Sequence, residues 1–121
     1  MYNMALKSWD EKKVPYPIWG TCLGFELLAL FANDDKPNLH RCWSQDQALA
    51  LNLTGEWVDS QIGQAMPKHI LKIVTEEKVT INFHRWCLTP TNFTEMGMDN
   101  FWRMLATGND HQDDDVGECY Y

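Results

Sequence analysis

From Leu23 to Ala32 the chain carries a single charge, Glu26. A helix that is apolar nearly all round belongs in a core and not on a surface. Asn33-Asp34-Asp35-Lys36-Pro37 is expected to stop it. Just upstream, Pro15 and Pro17 prevent helix and favour extended backbone. Ile18-Trp19-Gly20 then reads as a short buried strand. The expected local order is strand, glycine-flanked turn, buried helix.

The same reading covers the rest of the chain. Tyr2 to Trp9 is expected as a helix and Asp10 to Lys13 as a polar connection. Leu39 to Trp43 and Ala48 to Leu53 read as strands, with Gly55 in a turn. Pro67 opens a helix through Thr75, proline being favoured at the first helical position. Val79, Ile81 and Phe83 alternate with Thr80 and Asn82, which predicts a strand ending at His84. Pro90 is expected to begin a loop, Met98 to Met104 a helix, and Leu105-Ala106-Thr107 an extended segment. Mixed strands and helices in 121 residues indicate an α/β domain or part of one. Its expected extent is 1–110, with 111–121 a divergent acidic tail.

The net charge of -7 argues against nucleic acid, which needs clustered Lys and Arg. The longest apolar run, Leu27 to Ala32, is far short of the roughly 20 residues that span a bilayer. Met1 to Asp10 lacks the pattern of a signal peptide. Cys22, Cys42, Cys87 and Cys119 show no disulfide framework. His40 with Cys42, and His84 with Cys87, fit no zinc-ligand spacing, so no metal is expected. Asn52-Leu53-Thr54 and Asn92-Phe93-Thr94 are N-glycosylation sequons.

Gly20-Thr21-Cys22-Leu23-Gly24 is the segment that carries chemistry. Between a strand and a helix it has the context of a nucleophile elbow. A sharp turn there holds the nucleophile in strained backbone, so small residues are needed on both sides, and Gly20 and Gly24 supply them. The positive end of the helix faces the Cys22 sulfur and favours a thiolate. The Leu23 amide is placed to donate to an oxyanion. The alternative is a structural cysteine in a glycine turn.

Tyr16-Pro17-Ile18-Trp19-Gly20-Thr21-Cys22-Leu23-Gly24-Phe25-Glu26 resembles the elbow of the gamma-glutamyl hydrolases, which belong to the class I glutamine amidotransferase-like hydrolases. Phe25-Glu26 stands where other members of that superfamily have His-Gln. Leu51 to Gly55, Ile81 to Trp86 and Asn92 to Thr94 are similar to further family segments, in order. The resemblance covers roughly Tyr2 to Asn109. It implies a flavodoxin-like three-layer sandwich with a mostly parallel central sheet. It also implies a thiol nucleophile at Cys22 that cleaves folate or antifolate poly-gamma-glutamate through a thioester, with no cofactor. By the same resemblance the parent protein is lysosomal or secreted, carries glycans at Asn52 and Asn92, and leaves room for a homodimer.

The family's Gln-Trp-His-Pro-Glu segment, with its catalytic histidine, is absent here, and His111 does not replace it. Strands and the second oxyanion loop that precede Met1 in the family are absent as well. The expectation is therefore a partial domain of poor stability, whose signal peptide belongs to the lost N-terminal region. His84 matches a family histidine near the nucleophile and is assigned active-site support; the alternative is a structural hydrogen bond. Glu26, one turn after Cys22, is expected either to bind the glutamyl part of the substrate or to sit in an ion pair. Two competing readings are a catalytically inactive relative and a glutaminase-type amidotransferase domain.

Overall fold

The structure, a computed structural model, describes residues 1–33, 39–110 and 118–119. The chain divides into two compact units, Met1–Pro37 and Asn38–Tyr121.

Among the described residues the first unit contains two helices, α1 (Tyr2–Lys12) and α2 (Leu23–Ala32). Helix α1 runs through the residues expected as a polar connection. Lys12 stabilises its last turn by facing the negative end of the helix dipole. It stops at Lys13, which adopts the left-handed conformation while its N–H reaches the Trp9 carbonyl at 2.9 Å. The Tyr2 and Phe31 rings meet at 5.8 Å, tying α1 to α2.

Helix α2 has the expected bounds, but its expected burial is not found. Ala29 alone is buried, and Leu23, Leu27 and Phe31, four residues apart along one stripe, are exposed. The expected strand Ile18-Trp19-Gly20 is also absent. No strand among the described residues pairs with it, and Trp19 is 85 % exposed. The stop of α2 at Asp34 to Pro37 lies outside the described residues.

Among the described residues the second unit holds five strands: β1 (His40–Leu49), β2 (Asn52–Leu53), β3 (Thr80–Cys87), β4 (Ala106–Asn109) and β5 (Glu118–Cys119). Helices α3 (Gln61–Ala65), α4 (Lys68–Glu76) and α5 (Pro90–Glu95) interleave with them. Strands β1 and β3 form one sheet, and β2, β4 and β5 form another in that order. The mixed α/β composition is as expected. Every pairing among the described residues is antiparallel, however, where a mostly parallel sheet was expected. The two residues of β5 lie in the segment read as a tail; the rest of that segment, with His111, is outside the described residues.

Three local boundaries differ from the sequence reading for identifiable reasons. The segments expected as two strands give one long strand, β1, followed by the short β2. Pro90 opens helix α5 instead of a loop, because Thr89 caps it: the Thr89 hydroxyl accepts from the Asn92 N–H at 3.2 Å, and proline is suited to the first helical turn. Met98 to Met104 gives only a 3-10 turn, Met98–Asn100, after Gly97 takes a left-handed conformation. Helix α4 is present as expected but starts at Lys68, with Pro67 extended at the position before it.

Strand β3 shows the expected alternation, with its polar side turned inward. Ile81 and Phe83 are 66 % and 64 % exposed, whereas Asn82 is 5 % exposed. Among the described residues the buried apolar ones of this unit are Cys42, Trp57, Cys87, Leu88, Phe93 and Met98.

Candidate active site

Cys22 immediately precedes α2 and has φ 55° and ψ −121°. That is the first central position of a type II′ turn, a conformation that favours glycine. The Gly24 N–H closes the turn onto the Thr21 carbonyl at 2.9 Å. Holding a non-glycine residue there costs on the order of 1–3 kcal/mol. The Cys22 carbonyl accepts from the N–H groups of Phe25 (2.9 Å) and Glu26 (3.1 Å), so the residue is anchored to the first turn of α2. Its side chain is exposed.

Gly20 is required by close approach. A Cβ there would stand 2.5 Å from the Gly24 carbonyl oxygen and 2.7 Å from Leu28 Cδ1. Gly24 carries no such requirement, since a Cβ on it meets nothing within 4 Å. The steric demand of the turn falls on one glycine, not two.

Leu23 is the first residue of α2, and among the described residues no hydrogen bond takes its N–H. The first N–H groups of any helix lack intrahelical partners. Trp19 Nε1 donates to Thr21 Oγ1 at 2.8 Å, fixing the approach to the turn. Glu26 is half-buried, and no ion pair among the described residues includes it. Gly20, Cys22, Leu23, Gly24 and Glu26 thus share one turn and one helix start in the first unit.

His84 belongs to the second unit. It lies inside β3 and not at its end, half-buried, opposite Ser44 of β1. Register shifts flank Ser44 on both sides, and Asp46 has a positive φ of 54°. Such bulges re-aim side chains. The inward side here is polar. Ser44, Asn82, Thr107 and Asp110 are buried. Asp110 Oδ2 accepts from the Trp43 N–H at 2.8 Å, Gln47 Nε2 donates to the Asn109 carbonyl at 3.1 Å, and the Ser44 hydroxyl donates to Gln47 Oε1. Sequence reasoning missed these residues. The one available signal is the polar half of the β3 alternation, whose period does not say which side turns inward.

Asn52 is exposed in β2, and Asn92 is half-buried in the first turn of α5. Cys22, Cys42 and Cys87 carry thiols. Among the described residues no group of three or more His, Cys, Asp or Glu could hold a metal ion, and no helix is long and apolar enough to cross a membrane.

No protein-family model matches the chain. Curated proteins do. The chain is 36 % identical over 110 residues to the gamma-glutamyl hydrolase of Homo sapiens, covering 90 % of this chain and 34 % of that protein. It is 33 % identical over 111 residues to that of Rattus norvegicus, with coverage of 90 % and 34 %. It is 28 % identical over 109 residues to gamma-glutamyl hydrolase 1 of Arabidopsis thaliana, with coverage of 88 % and 31 %. The chain spans about a third of the length of the curated relatives it matches.

Proposed function

We propose, from the premise that the chain is homologous to the gamma-glutamyl hydrolases, that it carries the nucleophilic segment of a cysteine hydrolase acting on gamma-glutamyl bonds. The observation that carries this reading is the backbone of Cys22. A cysteine held at positive φ directly before a helix, with its side chain exposed, is strained backbone of the kind that clusters at active sites.

In the proposed reaction the Cys22 thiolate attacks the gamma-amide carbonyl carbon. The carbonyl electron pair moves onto oxygen, where the Leu23 N–H stabilises it. Collapse breaks the C–N bond, and the amine leaves with a proton taken from solvent, which the later hydrolysis of the thioester returns. Water then attacks the thioester, releasing the carboxylate and regenerating the thiol. Glu26, one turn along α2, contributes to binding the glutamyl part. His84 supports the site.

The substrate class is folate or antifolate poly-gamma-glutamate. The scaffold proposed for the parent is the amidotransferase-like, flavodoxin-like sandwich with a parallel central sheet. The parent is lysosomal or secreted, with glycans on Asn52 and Asn92.

The deciding assay is release of glutamate from a folyl-poly-gamma-glutamate by the chain and by Cys22→Ala. Activity present in the first and lost in the second is expected. Equal rates overturn the reading.

A further inference from the structure

A cavity of about 220 Å³ opens in the second unit, lined by Leu49, Ala50, Leu51, Thr80, Asn82, Thr107 and Gly108. Two of these side chains are polar and 95 % or so removed from solvent: Asn82 and Thr107 are each 5 % exposed. The Asn82 amide orientation is fixed, because Nδ2 donates to the Thr80 carbonyl at 3.2 Å and to the Gln47 carbonyl at 3.5 Å. Its Oδ1 takes no hydrogen bond among the described residues, and neither does the Thr107 hydroxyl. Neither atom is sealed away from the cavity space, since no fully buried side-chain nitrogen or oxygen lacks a partner.

The geometry points to a binding site for a small neutral primary amide. Asn82 Oδ1 accepts from the ligand N–H. The Thr107 hydroxyl donates to the ligand carbonyl. The apolar walls of Leu49, Ala50 and Leu51 take a short alkyl group. No ionisable residue lines the cavity, so a carboxylate of the same shape would lose its hydration without gaining a counter-charge. The volume equals that of roughly seven waters, which fits an amide of a few carbons and excludes a larger ring system. The proposal uses none of the residues assigned to the hydrolase chemistry and does not depend on it.

The test is a backbone-amide NMR titration of the whole chain with propionamide, and with propionate as the charged isostere. Saturable shifts at Leu51, Thr107 and Gly108 are expected with propionamide and not with propionate. Thr107→Val keeps the side-chain shape and removes one hydrogen bond; it should weaken propionamide about three- to tenfold. Asn82→Leu should abolish saturation, and if that variant does not fold, Thr107→Val decides alone. Equal response to the two probes, no saturation with propionamide, or unchanged affinity in Thr107→Val overturns the proposal.

Discussion

Gly20 and the Gly24 carbonyl are so close that a methyl group on Gly20 would stand 2.5 Å from the Gly24 oxygen. The chain enters the Cys22 turn pressed against the backbone of the helix that leaves it.

Gly20→Ala therefore forces α2 away from the turn. Its expected cost is about 1–3 kcal/mol, as for overpacking in a filled site. Gly24→Ala goes the other way, because its Cβ meets open space and glycine inside a helix costs roughly 0.5–1 kcal/mol relative to alanine. Urea unfolding followed by circular dichroism separates the two. A Gly20→Ala variant as stable as the parent refutes the close approach.

The strain at Cys22 predicts an unusual order of stabilities. Cys22→Gly should be more stable than Cys22→Ala by about 1 kcal/mol, although glycine normally weakens a helix start relative to its better caps. Equal midpoints for the two variants would mean that the residue is not held at positive φ.

Thr89→Ala removes the hydroxyl that caps α5. The expected loss is about 1 kcal/mol. Thr89→Ser keeps the hydroxyl and should restore most of it. If serine is no better than alanine, the cap contributes nothing.

Ile81 and Phe83 present large apolar side chains on the open side of the two-stranded sheet. Exposed apolar strands associate. The double variant Ile81→Thr, Phe83→Lys should lower aggregation, read by light scattering at matched concentration, without lowering the unfolding midpoint. A fall in stability would show that these side chains are buried in solution.

What was legible in the sequence was local. The bounds of α2 followed from its apolar run, the turn at Cys22 from its flanking glycines, and α4 from Pro67. What failed depended on neighbours. Whether Ile18-Trp19 becomes a strand is decided by a pairing partner elsewhere, and no pattern within those residues contains it. The β3 alternation told the period but not the side: which face turns inward is set by what the opposite strand offers, and β1 offers Ser44 and Gln47. Pro90 was misread because proline both ends and begins structure, and the preceding Thr89 decides which. The close turn at Cys22 was legible because a turn is specified within a few residues. The buried set of Ser44, Asn82, Thr107 and Asp110 comes from three distant stretches, and nothing in the sequence joins them.

The register shifts in β1 have a consequence for insertions and deletions. Arg41 faces Trp86, Ser44 faces His84 and Gln47 faces Asn82, so β1 gains one residue on β3 at each step. Parity changes with it: Cys42 and Ser44 turn inward before the second step, Gln47 and Leu49 after it. Removing Asp46 would heal the second bulge into a regular ladder and leave every later pair intact. Removing one residue from β3 in the same stretch would leave a second surplus residue in β1 to be looped out. Gaps in this ribbon should therefore be tolerated on one strand and not on the other.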